Sequence, residues 1–291
     1  MMKQWQLAHG RSLPLGEKSV IMGILNVTPD SFSDGGRYTT LDKALALAEK
    51  MLEEGATIID VGGESTRPGG ASVDAETETA RVVPVIAALT ERFDCLVSVD
   101  TYRVSTARLA VKAGAHIVND VWGLQKEPEI AQVAKDSGAG LVIMHTSRDR
   151  AVNPDVIADQ SAFLDISLQI AQKSGIETSH IVLDPGFGFG KEAKENVGLM
   201  ARLEELQRFG YPLLVGTSRK RFIGAITGQS EPLMRDIGTA ATSVAMRLAG
   251  ADIFRVHNVA FNRDALAVAD AILQSKADTE QETRPCTQSA S

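Results

Sequence analysis

Short apolar runs alternate along this chain with longer segments in which apolar positions recur every three or four residues. The runs fall at residues 20–27, 58–61, 95–99, 116–118, 141–144, 181–183, 213–215 and 253–256. Their length and β-branched character predict buried strands. Between them a helical period appears: Leu41, Leu45, Ala48 and Leu52 share one face, and Gly55 is the stop. Further helices are expected at about 74–92 with a kink at Pro84, from about 101 to Gly114, and at about 128–137, 155–174, 195–209, 237–249 and 263–274.

Eight strand–helix units without a linker-like gap predict a parallel sheet with right-handed crossovers, closed into a single (β/α)8 TIM barrel. An open doubly wound sheet is the rival. It would usually place a Gly-x-Gly-x-x-Gly turn after its first strand, whereas this chain has Asn26-Val27-Thr28-Pro29-Asp30 there. The expected division is a lead-in at residues 1–18, the barrel at 19–275 and a disordered polar tail at 276–291.

Composition narrows the class. The chain has 291 residues, 44% hydrophobic and 23% charged, enough apolar material for one large core. A formal net charge of −7 argues against a general nucleic-acid or membrane-surface binder. The two cysteines, Cys95 and Cys286, indicate neither a disulfide framework nor a metal cluster. Residues 1–18 lack the apolar core of a signal peptide, and no apolar run is long enough to span a bilayer, so a cytoplasmic protein is expected.

A barrel of this kind brings all strand C-termini to one mouth, where its active sites lie. Asn26, Asp60, Asp100, Asn119, His145, Asp184, Lys220, Arg255 and His257 should ring that mouth. One polar residue at a strand end is an ordinary helix cap; a polar residue at nearly every strand end is not. Asp100, Asn119 and Asp184 offer acceptors and an amide suited to a flat heterocycle with amine and amide N–H groups. Arg67, Lys220, Arg255 and His257 offer positive charge in an acidic protein, which fits a phosphate or carboxylate. The loop after the second strand concentrates Glu64, Thr66 and Arg67 between glycines and Pro68, more chemistry than a turn requires. His145, beside an apolar run, reads as structural, and Arg219 as a solvated neighbour.

Five blocks now stand in order on the strand ends: Asn26-Val27-Thr28-Pro29-Asp30-Ser31-Phe32-Ser33-Asp34-Gly35-Gly36, residues 62–69, Asp184-Pro185-Gly186-Phe187-Gly188-Phe189-Gly190-Lys191, Ser218-Arg219-Lys220 and Arg255-Val256-His257. In these the chain resembles the dihydropteroate synthases, folate-pathway enzymes that join a pterin pyrophosphate to 4-aminobenzoate. The resemblance implies that Asp100, Asn119, Asp184 and Lys220 hold the pterin, with Phe189 near its ring. It implies that Asn26, Arg67, Arg255 and His257 bind pyrophosphate, with Mg²⁺ placed by Asn26. Phe32, Thr66, Pro68, Ser218 and Lys220 would border the aminobenzoate, and Asp34 would face the reacting methylene. The residues carrying catalysis would be Asp34, Arg67, Lys220, Arg255 and His257. Asp60 is either a group behind these or a strand-end cap. Relatives are commonly homodimers and sulfonamide targets. Two alternatives are a methyltetrahydrofolate-dependent methyltransferase, which has no pyrophosphate to hold, and a non-catalytic pterin-binding relative. One departure stands out: after Met144-His145 the family often continues with a Met-Gln-Gly type segment, but this chain reads Thr146-Ser147-Arg148-Asp149-Arg150.

Overall fold

A computed structural model describes residues 3–28, 40–64 and 73–282. Two short strands, β1 (Lys3–Gln6) and β2 (Ser12–Leu15), pair as an antiparallel hairpin. The barrel strands follow: β3 (Val20–Asn26), β4 (Ile58–Gly62), β5 (Leu96–Asp100), β6 (Ile117–Asp120), β7 (Gly140–Met144), β8 (Ile181–Asp184), β9 (Leu214–Val215) and β10 (Ile253–Val256). All pair in parallel with their neighbours, in the order β8-β7-β6-β5-β4-β3-β10-β9. A parallel bridge between Leu183 and Leu213 joins the two ends, so the sheet closes as the strand–helix pattern requires.

The helices lie outside: α1 (Thr40–Glu53), α2 (Ala75–Arg92), α3 (Val104–Lys112), α4 (Ile130–Ser137), α5 (Val156–Lys173), α6 (Ala193–Ala201), α7 (Arg221–Thr227), α8 (Asp236–Leu248) and α9 (Val259–Glu282). Asp74 caps α2 by accepting from Thr77 N, and Asp155 caps α5 by accepting from Ile157 N and Ala158 N. Helix α2 continues through Pro84. Among the described residues no helix is long and apolar enough to cross a membrane.

Side-chain alternation divides the core. Ile59, Val61, Val97, Val99, Val118, Leu141, Ile143, Leu183 and Phe254 pack outward against the helices. Met22, Ile58, Leu96, Ile117, Val142, Val182, Leu214 and Ile253 meet inside the barrel floor, joined there by Trp5, Leu7, Leu13 and Leu15 of the hairpin. Two residues further along six of these strands the next inward positions are Asp60, Ser98, Asn119, Met144, Asp184 and Arg255. The period of two thus carries most of the strands from an apolar floor to the mouth.

Three expectations change. The described part of the lead-in, residues 3–18, contains a plug: Trp5 is 1% exposed and its Nε1 donates to His180 O at 2.8 Å. Helix α7 occupies a stretch that the apolar pattern left open. Helix α9 runs to Glu282, so residues 276–282 are helical where a disordered tail was expected; polar pairs such as Gln274 Nε2 to Asp278 Oδ1 at 2.9 Å support it without an apolar face.

Candidate active site

The mouth is organised on Arg255. Two positions after floor residue Ile253, its side chain points inward and donates from Nε to Asp60 Oδ2 and from Nη2 to Asp100 Oδ2, both at 2.6 Å. Asn119 Nδ2 also donates to Asp60 Oδ2, at 3.3 Å. Asp60 is fully buried. It therefore holds Arg255 and Asn119 in place and caps no helix. Burial pushes the Asp100 carboxyl up to about 7, although Arg255 pulls against it. Asp60 Oδ1, Asp100 Oδ1 and Asn119 Oδ1 are buried acceptors that no donor among the described residues satisfies. Such atoms are costly in a fold and mark where an outside donor fits.

Across the mouth, Asp184 Oδ1 accepts from Gly186 N at 2.7 Å. Burial raises its carboxyl, opposed by Lys220 and the Gly186 N–H. Lys220 donates through Nζ to Phe187 O and lies 4.5 Å from the Phe189 ring centroid. Burial pushes its ammonium down to about 7, with Asp184 holding it up. Phe189 joins Tyr102, Val121 and Met144 in an apolar cluster flanked by Trp122. The resemblance supplied Phe189 alone; Met144 was reachable from the same alternation, as the inward position after Val142.

Ser218 and His257 lock together. The Ser218 hydroxyl accepts from His257 N at 3.1 Å and lies 2.9 Å from His257 Nδ1, to which it can donate. With the hydroxyl donating to Nδ1, the neutral ring carries its proton on Nε2. Arg219 departs from its expected solvated role. With φ at +57° it forks onto Asp236, Nε to Oδ1 at 2.6 Å and Nη2 to Oδ2 at 2.8 Å, and so ties the seventh loop to the start of α8.

His145 is structural, as its apolar context suggested. It is fully buried against Phe163, and burial pushes its imidazole down to about 4. The divergent Thr146–Arg150 segment is built into the scaffold: Arg150 pairs with Asp159, and the Arg148 guanidinium lies 4.6 Å from the Phe189 ring centroid.

Asn26 ends β3 at the mouth, its Oδ1 beside Gly62, where an added Cβ would lie 3.4 Å away. A neutral amide oxygen is a hard donor that suits Mg²⁺, an ion that keeps several waters and leans on substrate phosphates rather than on a protein cage. No cluster of three or more His, Cys, Asp or Glu that could hold a metal ion is found among the described residues. Phe32, Asp34, Thr66, Arg67 and Pro68 lie outside the described residues. The anchors of the second loop lie within them: Arg103 Nη2 donates to Glu64 Oε2 at 2.6 Å and to Val73 O at 2.5 Å.

A closed (β/α)8 barrel with buried acceptors, a lysine and an apolar wall at its mouth is the architecture of the pterin binding enzymes, whose family model matches residues 22–257, and the chain belongs to that family. The dihydropteroate synthase of Bacillus subtilis is 46% identical over 272 residues, which cover 93% of this chain and 95% of that protein. The dihydropteroate synthase of Xanthomonas albilineans, solved with 4-aminobenzoic acid, superposes with a TM-score of 0.88 at 42% identity, covering 93% of this chain and 99% of the other. That of Yersinia pestis, solved as a sulfonamide drug complex, gives 0.84 at 42% identity and covers 92% and 98%. Within the family, the chain sits among the dihydropteroate synthases.

Proposed function

We propose that this chain condenses 6-hydroxymethyl-7,8-dihydropterin pyrophosphate with 4-aminobenzoate, giving 7,8-dihydropteroate and pyrophosphate. The observation that carries this reading is the set of unsatisfied buried acceptors, Asp100 Oδ1 and Asn119 Oδ1, facing the same mouth as Asp184 and the Val121, Met144 and Phe189 wall. A flat ring edged with N–H groups matches both features. Asp184, Asn119 and Asp100 accept from the pterin, and Lys220 donates to it.

The methylene C–O bond breaks first, and the electron pair leaves with pyrophosphate. The pterin ring delocalises the resulting cation. His257 Nε2–H, Arg67 and Asn26 meet the leaving group, a preorganised electrostatic role. Arg255 contributes differently from a free cation: with Asp60 and Asp100 bound to it, it acts as a fixed donor plane rather than as net charge. Mg²⁺ bound by Asn26 and the pyrophosphate oxygens would supply further neutralisation of the leaving charge. The aniline nitrogen then forms the C–N bond and loses its proton to solvent; as a weak base it needs no dedicated general base. Ser218, Lys220, Phe32, Thr66 and Pro68 border the aminobenzoate, and Asp34 faces the methylene. The same pocket takes sulfonamides as aminobenzoate mimics.

The protein acts as a homodimer in this reading. Leu233, Met234, Ile237, Phe261 and Val268 are 51–77% exposed and lie on or beside the adjoining helices α8 and α9. A second copy of the chain is the occupant proposed for that apolar face.

The test of the reaction is incubation of the protein with the pterin pyrophosphate, 4-aminobenzoate and Mg²⁺. Pyrophosphate and dihydropteroate should appear in equal amounts. Pyrophosphate release that does not depend on aminobenzoate, or no release at all, would overturn the reading.

A further inference from the structure

The glycine-rich loop after β8 ends in a lysine that the reaction does not use. Lys191 Nζ donates to Gly186 O and to His145 Nδ1, each at 2.9 Å. Its Nε2 lies 2.9 Å from Asp159 Oδ2 and also 2.9 Å from Arg150 Nη2. Asp159 is held in turn by Arg150 through Nη1 at 2.9 Å and Nη2 at 2.5 Å, and by Asn153 N at 2.8 Å. Four side chains from three segments therefore form a linked chain that reaches the carbonyl of Gly186 through Lys191.

That carbonyl belongs to the turn that presents Asp184. Gly186 N holds Asp184 Oδ1 at 2.7 Å, and His145 N donates to Asp184 O at 2.8 Å. His145 thus grips the turn twice, through its backbone N–H and through its ring by way of Lys191. Gly186 has φ at +65°, and a Cβ there would lie 1.8 Å from His145 O. The turn has no room to relax. An ammonium drawn partly out of water is costly unless it is hydrogen-bonded; burial pushes Lys191 down to about 7, and Gly186 O and His145 Nδ1 take two of its donors. Simple loop closure would be met by a neutral residue at lower cost. What a neutral apolar residue could not do is fix a carbonyl and an imidazole together beneath the Asp184 turn.

We infer that Lys191, acting through Gly186 and His145, is a positioning residue that sets the Asp184 carboxylate for the pterin. This rests on the assignment of Asp184 as a pterin acceptor. The experiment compares Lys191→Met, His145→Leu and His145→Gln with the wild type and with Asp184→Asn. Lys191→Met and His145→Leu should each raise the pterin pyrophosphate Kd and KM about tenfold or more, the scale of one charged hydrogen bond. The KM for aminobenzoate and kcat at saturating pterin should stay within about twofold, and the double variant should be little worse than either single one because both break the same link. Glutamine at 145 keeps an acceptor for Lys191 and a donor for Asp159, so His145→Gln should retain most of the affinity lost in His145→Leu, and this pair carries the test if Lys191→Met does not fold. Parallel losses in both KM values, unchanged pterin affinity in Lys191→Met, or equal losses in the leucine and glutamine variants would overturn the inference. Normal pterin affinity in Asp184→Asn would instead remove the assignment on which it rests.

Discussion

Asp184 shows how much one side chain can be asked to do. Its Oδ1 is engaged by Gly186 N, which leaves Oδ2 to accept from the pterin. Asp184→Asn replaces an acceptor by a donor opposite a donating ring edge, so pterin binding should weaken by about 2–4 kcal/mol. Calorimetry giving an affinity within twofold of wild type would refute the role. Asp100 makes a second prediction through pH. Burial raises its carboxyl from the ordinary 3.8 to about 7. Between those values the folded protein keeps a proton that the unfolded chain has released. The stabilisation from this group is therefore complete below about pH 4 and is lost as pH rises to about 7. The wild type should melt at a progressively less favourable temperature relative to Asp100→Asn across that window, in protein without ligand. A difference in Tm that stays constant with pH would mean that the carboxyl is ionised throughout.

At the scale of elements, the barrel floor and the mouth are separable. Trp5 fills the floor with Leu7, Leu13 and Leu15, against the layer of Val182 and Ile253 that lies beneath Asp184 and Arg255. Trp5→Ala should cost about 3–5 kcal/mol of stability while leaving the KM for both substrates nearly unchanged, as denaturant melts and steady-state kinetics would show. A rise in pterin KM comparable with the loss of stability would mean that the floor transmits strain to the mouth. The same comparison explains what was legible in the chain. Every barrel strand carried a β-branched apolar run, and a polar residue two positions past an inward apolar one is visible in a linear pattern. Asp60–Arg255 was not visible, because 195 positions separate the partners and only barrel closure brings them together. The hairpin was missed because Lys3-Gln4-Trp5-Gln6 contains no β-branched residue. The fork from Arg219 to Asp236 depends on a backbone with positive φ that no local composition announces.

For the whole molecule the outer surface divides unevenly. Most exposed apolar residues stand singly, but Leu233, Met234 and Ile237 fall close together along the chain, and Ile237 is 77% exposed. Ile237→Glu places a charge on the face proposed to meet a second copy. Sedimentation should then shift from dimer to monomer at micromolar protein, with the barrel still folded by circular dichroism. A wild-type protein that is already monomeric, or a variant that remains dimeric, would move the interface elsewhere.

The floor plug has a consequence for how the chain is made. Trp5 reaches His180 across 175 positions, and Ser19 N reaches Asp270 Oδ2 across 251. Residues 3–15 therefore find their partners only after most of the barrel has been synthesised. Until then Trp5, Leu13 and Leu15 have no floor to fill, and the nascent chain must carry them exposed to water. Closure of the ring and seating of the plug become one late, long-range event, the kind that loop entropy slows. A barrel is often pictured as growing unit by unit; this one cannot seat its floor until its late strands are in place.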